Sequence, residues 1–202
     1  MTALGLFILL ALSVPALAQS PPQRSAAELM DAVMWSREPI GGPFALTDHT
    51  GKPRTDADFR GKLMLVYFGF TYCPDICPTD LQAMGLAIDR LGAAGEAVQP
   101  LFVTLDPERD TREVLAEYAP MFHPRMIALR GDDAALRQAA RGYRVYFAKA
   151  KTGDANSYTV DHSGFVYLMD RDGGYLGFFP PGTSPERMAA SIKPHLSAPV
   201  KR

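Results

Sequence analysis

Apolar and polar positions along this chain fall into short blocks whose period changes repeatedly. Lys62–Phe70 (KLMLVYFGF) is a nearly unbroken apolar run, the pattern of a central strand covered on both faces. Thr79–Leu91 then carries Leu81, Met84, Ile88 and Leu91 at helical spacing and stops at Gly92. Pro100–Leu105 predicts a second buried strand. Asp110-Thr111-Arg112-Glu113 offers an N-cap Asp with Glu three residues on, opening a helix through about Met121. Further strands are expected at Pro43–Thr47, Met126–Leu129, Val145–Phe147, Gly164–Met169 and Tyr175–Phe179, with helices at Asp133–Arg141 and Ser184–His195. Asp48-His49-Thr50-Gly51 reads as a turn, and Asp170-Arg171-Asp172-Gly173-Gly174 as the hairpin between the last two strands. The order β-α-β-α-β-α, then hairpin and helix, predicts an α/β fold: a central mixed β-sheet flanked by helices on both faces.

The start of the chain follows a different rule. Met1 to Leu17 holds no charged side chain, Leu4–Val14 is apolar, and Ala16-Leu17-Ala18 has the small-x-small form of a cleavage site. As a helix, Leu4–Leu17 would span only ~21 Å, short of the ~30 Å hydrocarbon core of a membrane. Residues 1–18 are therefore read as an export signal cleaved after Ala18. The absence of Lys or Arg before the apolar run leaves a short uncleaved anchor as the alternative. The first Arg stands at position 24, a poor match to an Arg-rich transit peptide. Residues 19–42 form a lead-in, with Ser25–Ser36 at helical spacing and Trp35 as a packing anchor. Residues 43–196 make one domain and 197–202 a tail. The expected location is the bacterial periplasm.

Composition narrows the function classes. With 47% hydrophobic and 21% charged residues the chain is an ordinary globular protein. Lys+Arg 21 against Asp+Glu 22 gives a net charge of −1, which argues against a nucleic-acid binder. Two cysteines exclude a four-cysteine zinc site, an iron–sulfur cluster and a disulfide-dense scaffold. Both lie in GFTYCPDICPTD, where Cys73 follows the end of the expected central strand and Cys77 lies close to the start of the next helix, with Pro78 suited to its first turn. Sites in open α/β sheets gather at the carboxyl ends of strands. A helix N-terminus favours anions, so thiolates form there more readily than in a free thiol. Two soft thiolates this close suit a disulfide or a thiophilic metal. A purely structural disulfide here would close a tiny loop and restrain little chain entropy.

The strand–CxxxC–helix arrangement resembles the thioredoxin superfamily, and GKLMLVYFGFTYCPDICP resembles the Sco/SenC family in particular. The resemblance continues through VTLDPERDTREVLAEYAPMF (Val103–Phe122) and YTVDHSGFVYLMDRDGGYLGFF (Tyr158–Phe179). It implies a thioredoxin-like fold and assembly of the dinuclear copper centre of cytochrome c oxidase. It also implies one copper per chain, held by Cys73, Cys77 and the histidine of the DHS motif, His162. The implied partners are the copper-site subunit of the oxidase, a periplasmic copper donor and a thiol reductant. The residue chemistry agrees. No proline lies between Pro124 and Pro180, where a thioredoxin-like reductase would place a cis-proline. Two thiolates and a neutral imidazole carry charge −2 and suit copper(I) or copper(II). The alternative is a thiol–disulfide oxidoreductase, or a redox sensor, needing only Cys73 and Cys77 as a redox-active pair. A peroxiredoxin-like peroxidase fits less well, because Phe70 stands where its motif has Thr.

The remaining candidates have plainer readings. His49 sits in a polar turn and is expected to be solvated, and His195 lies near the end of the last helix. Met121-Phe122-His123 with Met126 suggests a secondary copper(I) site, although methionines at such spacing usually fill a core. Asp75 either lies near the metal or caps the helix. Asp106, Arg109 and Asp110 follow a strand end and either border the site or brace their loop. Lys149–Ser157 (KAKTGDANS) is read as a flap beside the site or a surface hairpin loop.

Overall fold

The uninterrupted apolar run is the middle of the molecule. It forms β3 in a computed structural model that describes residues 40–153 and 158–197. The expected export signal, the Ser25–Ser36 helix with Trp35 and the tail beyond Ser197 lie outside the described residues. In chain order the first elements are β1 (Ala45–Asp48), β2 (Pro53–Thr55), β3 (Leu63–Gly69), α1 (Ile76–Arg90), β4 (Val98–Thr104), α2 (Arg112–Tyr118) and β5 (Ile127–Arg130). There follow α3 (Asp133–Gly142), β6 (Phe147–Lys151), β7 (Tyr158–His162), β8 (Val166–Met169), β9 (Tyr175–Phe179) and α4 (Pro185–Ile192).

Seven strands form one sheet in the order β2-β1-β5-β4-β3-β8-β9, and β6 and β7 pair separately. β3, β4 and β5 run parallel, while β1, β8 and β9 join antiparallel. Every residue of β3 and β4 is buried, so neither strand needs an alternating pattern. Adjacent residues of β3 face opposite layers. Tyr67 lies on the side of α1, where the Cys77 sulfur and the Phe102 ring also crowd Gly69. Phe68 packs on Tyr143 at the end of α3, with ring centroids 5.2 Å apart. Helices therefore cover both faces, as the element order predicted. The architecture is the thioredoxin-like α/β fold expected from the sequence.

The structure also departs from the sequence reading. α1 begins at Ile76 rather than Thr79, so Pro78 lies in its first turn, as its residue type suits, and Cys77 joins it there. The N-cap of α2 is Thr111, whose hydroxyl accepts from the Val114 N–H, because Asp110 is buried and committed elsewhere. β2 was not expected; three residues of mixed polarity carry no period. Val145–Phe147 is not the strand. β6 starts at Phe147 and runs through Lys151, into the stretch read as a polar loop, and pairs with β7. Ala and Lys alternate on a mostly half-buried strand, which therefore lacks the strong apolar contrast that betrays one.

The turn after β1 is organised around Asp48, which is 1% exposed. Its Oδ1 accepts from the backbone N–H and hydroxyl of Thr50 and from the Lys52 N–H, and Oδ2 pairs with Arg54 Nε at 2.8 Å. Burial pushes this carboxyl up, but its donors outweigh burial and hold it at about 2, below the ordinary 3.8. Asp48 therefore stabilises the fold above pH 3.8, and the contribution is lost as pH falls through about 2. Asp48→Asn is expected to cost about 2 kcal/mol in urea unfolding at neutral pH. The difference from the native chain should vanish near pH 2. An equal loss at both pH values would contradict this account.

Candidate metal centre

β3 and β8 are antiparallel neighbours with Tyr67 opposite Val166. The outgoing end of one therefore meets the incoming end of the other. The cysteine loop leaves β3 at that place, and the chain from His162 enters β8 there. This brings the Cys77 sulfur to 3.6 Å from His162 Nε2 across 85 residues of sequence. Gly69 makes the approach sterically possible. A Cβ there would lie 3.0 Å from the Cys77 sulfur and 2.8 Å from the Tyr67 ring.

The imidazole is fixed on three sides. His162 Nδ1 lies 3.0 Å from the Val160 carbonyl, which only accepts, so Nδ1 donates there and Nε2 is the nitrogen that faces the Cys77 sulfur. The rings of Phe70 and Tyr67 meet it edge-on, at centroid distances of 5.7 and 6.5 Å. Asp161, the adjacent carboxylate, is exposed.

The two sulfurs differ. Both cysteines are free; Cys77 is fully buried and Cys73 only partly. A hydrogen bond from the Cys77 thiol lowers Cys73 to about 5 against the opposing effect of burial, and the N–H groups of Asp75 and Cys77 assist. Cys77 is pushed up, because it serves as the donor to Cys73 and because it is buried. The pair is poised as one thiolate and one thiol. Among the described residues no three His, Cys, Asp or Glu side chains already close on one point. The donors meet pairwise instead, Cys73 with Cys77 and Cys77 with His162.

Acidic residues brace the loops. Asp110, fully buried, accepts from the N–H and hydroxyl of Thr71 and from the Thr104 hydroxyl, which ties the start of the cysteine loop to the end of β4. Asp106 pairs with Arg109 and accepts from the Tyr158 hydroxyl. Bracing is thus what these three residues do. Asp75 is exposed and its side chain makes no capping bond.

Other sequence candidates lie apart. His49 is half-buried rather than fully solvated, and its Nδ1 accepts from the Ala128 N–H at 3.1 Å. His123 and Met126 are buried, with His123 Nδ1 accepting from the Arg125 N–H, while Met121 is 71% exposed. Met121 thus faces solvent while His123 and Met126 are enclosed. Met121 lines an open groove with Thr71, Tyr72 and Tyr118, next to the cysteine loop. His195 sits with β9 and α4 in a different groove.

Two buried polar groups beside the thiols were not foreseen. The Tyr67 hydroxyl and Asp80 Oδ2 have no hydrogen-bond partner among the described residues, although Asp80 Oδ1 accepts from the Gly182 N–H. Burial raises the Asp80 carboxyl. Its signal was present in the sequence as a charged residue on the same helical face as Cys77 and Leu81. The Val160 carbonyl gave none, because every residue has one.

A thioredoxin-like domain with a thiolate–thiol pair at a strand-to-helix junction and an imidazole aimed at it is the class that fold and site define. The SCO1/SenC family model matches residues 33–197. The chain is 41% identical over 159 residues to the human mitochondrial SCO1 homologue, covering 78% of this chain and 53% of that protein. It is 43% identical to Schizosaccharomyces pombe sco1, covering 77% and 60%. Among solved structures, Bradyrhizobium japonicum ScoI with copper bound is 42% identical, with a TM-score of 0.71 and coverage of 77% of this chain and 99% of that one. Yeast Sco1 with copper bound is 38% identical, with a TM-score of 0.73 and coverage of 81% and 91%. This chain belongs to the SCO1/SenC family. It spans roughly half to three-fifths of the length of these two curated relatives.

The thiol asymmetry is directly measurable. In the reduced, folded chain iodoacetamide should label Cys73 and spare Cys77. The Cys73 rate should rise through about pH 5 and then level. A rate that keeps climbing toward pH 9.0, the ordinary thiol value, would refute the assignment.

Proposed function

We propose that this chain is a copper chaperone for assembly of the dinuclear copper centre of cytochrome c oxidase, with copper as cargo on Cys73, Cys77 and His162. The observation that carries the reading is His162 Nε2, 3.6 Å from the Cys77 sulfur while Nδ1 is anchored on the Val160 carbonyl. Exchange of thiols and disulfides has no use for a third donor held in this way. Two thiolates suit copper(I), and the imidazole extends the set to copper(II) at no added charge. Three protein donors leave a position open through which an acceptor can take the ion.

The setting suits transfer between proteins. Tyr72, Met121 and Tyr146 are 60%, 71% and 65% exposed, and large apolar side chains in the open are what a partner covers. With a net charge of −1, docking rests on this local surface rather than on a long-range field. The partners in this reading are the copper-site subunit of the oxidase, a copper donor and a thiol reductant, met in the periplasm after export. Among the described residues no helix is long and apolar enough to cross a membrane.

The asymmetric thiols favour a second reading, a thiol–disulfide oxidoreductase acting on the cysteines of the same copper site. There Cys73, the more acidic and more exposed sulfur, attacks the target disulfide, and Cys77 resolves the mixed disulfide.

Copper titration of the reduced chain separates the two. The chaperone reading expects about one copper per chain and a thiolate-to-copper(II) charge-transfer band. Cys73→Ala and Cys77→Ala should abolish the band, and His162→Ala should weaken copper(II) binding by about tenfold or more. Oxidation to the Cys73–Cys77 disulfide should abolish binding, because the ligands must be thiolates. A chain that binds no copper yet rapidly reduces an oxidised copper-site domain would establish the second reading instead.

A further inference from the structure

The hairpin that carries His162 is not part of the main sheet. β6 and β7 pair only with each other, so no ladder hydrogen bond fixes their distance from the cysteines. Elsewhere the hairpin is held by buried Val160 and by Arg137 over the Phe147 ring. On the side facing the cysteine loop the hold is a set of side-chain contacts centred on Arg109. Its Nη1 donates to the Tyr158 carbonyl at 3.0 Å, and its guanidinium carbon lies 3.8 Å from the Tyr158 ring centroid. The same guanidinium is 5.0 Å from the Tyr72 ring and 5.8 Å from the Phe70 ring. Asp106, fully buried, pairs with Arg109 Nε and accepts from the Tyr158 hydroxyl at 2.8 Å. Lys149 on β6 pairs with Glu108 at 2.6 Å and sits 4.6 Å from the Tyr158 ring.

We infer that Arg109 and Tyr158 form a clasp that positions His162 against the cysteines. One cation bridges the two segments that carry the donors. It holds β7 at its first residue, while His162 is the last residue of the same strand. It also stacks on Phe70, whose ring meets the imidazole edge-on. A short, paired strand transmits the position of one end to the other, so the clasp sets how closely Nε2 approaches the sulfur. Copper(I) is satisfied by two thiolates, whereas copper(II) needs the imidazole. Opening the clasp therefore removes copper(II) selectively. The ligand role of His162 is taken from the proposed function; the clasp itself is a property of the metal-free chain.

Arg109→Gln keeps a hydrogen-bond partner for Asp106 but removes the cation, Tyr158→Leu removes ring and hydroxyl, and Tyr158→Phe retains the ring as the conservative control. Backbone hydrogen exchange of the copper-free, reduced chain comes first. In Arg109→Gln and Tyr158→Leu, residues 147–151 and 158–162 should exchange about tenfold faster, with β3 and β4 unchanged. Copper(II) affinity should fall about tenfold, with loss of imidazole nitrogen coupling in the electron paramagnetic resonance spectrum. Copper(I) affinity should stay within about threefold of the native chain, and Tyr158→Phe should keep both affinities within the same range. Unchanged exchange in both disrupting variants would overturn the clasp. Faster exchange with native copper(II) affinity and nitrogen coupling would overturn its positioning role. If the native chain binds no copper, the proposed function fails, and the exchange result alone upholds or overturns the clasp.

Discussion

The antiparallel pairing of β3 with β8 is the constraint on which the site depends. A parallel neighbour would have put the start of β8 at the far end of β3, away from the cysteine loop. With Tyr67 opposite Val166, the last residues of one strand and the first of the other share an edge of the sheet. The cysteine loop and the DHS segment are then neighbours whatever lies between them. Gly69 completes the arrangement, since its missing side chain is the space in which the Cys77 sulfur sits.

Around that geometry the chain divides its charges by depth. The whole chain is near neutral, at −1, yet Asp106, Asp110 and Asp80 are buried within or beside the loops that carry the donors. Two of them are consumed by hydroxyl, backbone and guanidinium donors and act as braces. Buried acceptors that are fully used rigidify a loop, and a rigid loop holds sulfur and nitrogen at a set distance without a metal to organise them. The thiols are treated differently. The helix N-terminus and two backbone N–H groups serve Cys73, while Cys77 is buried, keeps its proton and donates a hydrogen bond to its neighbour. One sequence motif thereby yields two sulfurs of opposite character.

Much of this was legible in the chain. After Lys62 the run LMLVYFGF had no charged residue to place on a solvent side, and every residue of β3 is buried. Leu81, Met84 and Ile88 all reach the core. The misreadings share a cause. The start of α1 was read three residues late, leaving Cys77 just outside a helix that contains it, because the apolar period is visible only from Leu81 onward. Asp110 looked like a cap, and the neighbouring Thr111 took that role once Asp110 was drawn inward by Thr71, thirty-nine residues earlier. The β6–β7 hairpin was half missed because most of its residues are only half-buried. Local pattern reports which side chains avoid water; it says little where neither face does so fully.

By itself the sequence determined the chemistry on offer: two soft sulfurs at a strand-to-helix junction, one histidine in a distant motif, and an apolar framework with room for nothing bulkier. These follow from residue type and near-neighbour spacing, which a linear chain carries in full. Only the tertiary structure decided which nitrogen of His162 faces the sulfur, which thiol is the acid, and that Arg109 spans the two donor-bearing segments. Those are relations between residues as much as 85 positions apart. They depend on strand register, on one carbonyl at Val160 and on ring orientations that no residue specifies until its neighbours are packed around it.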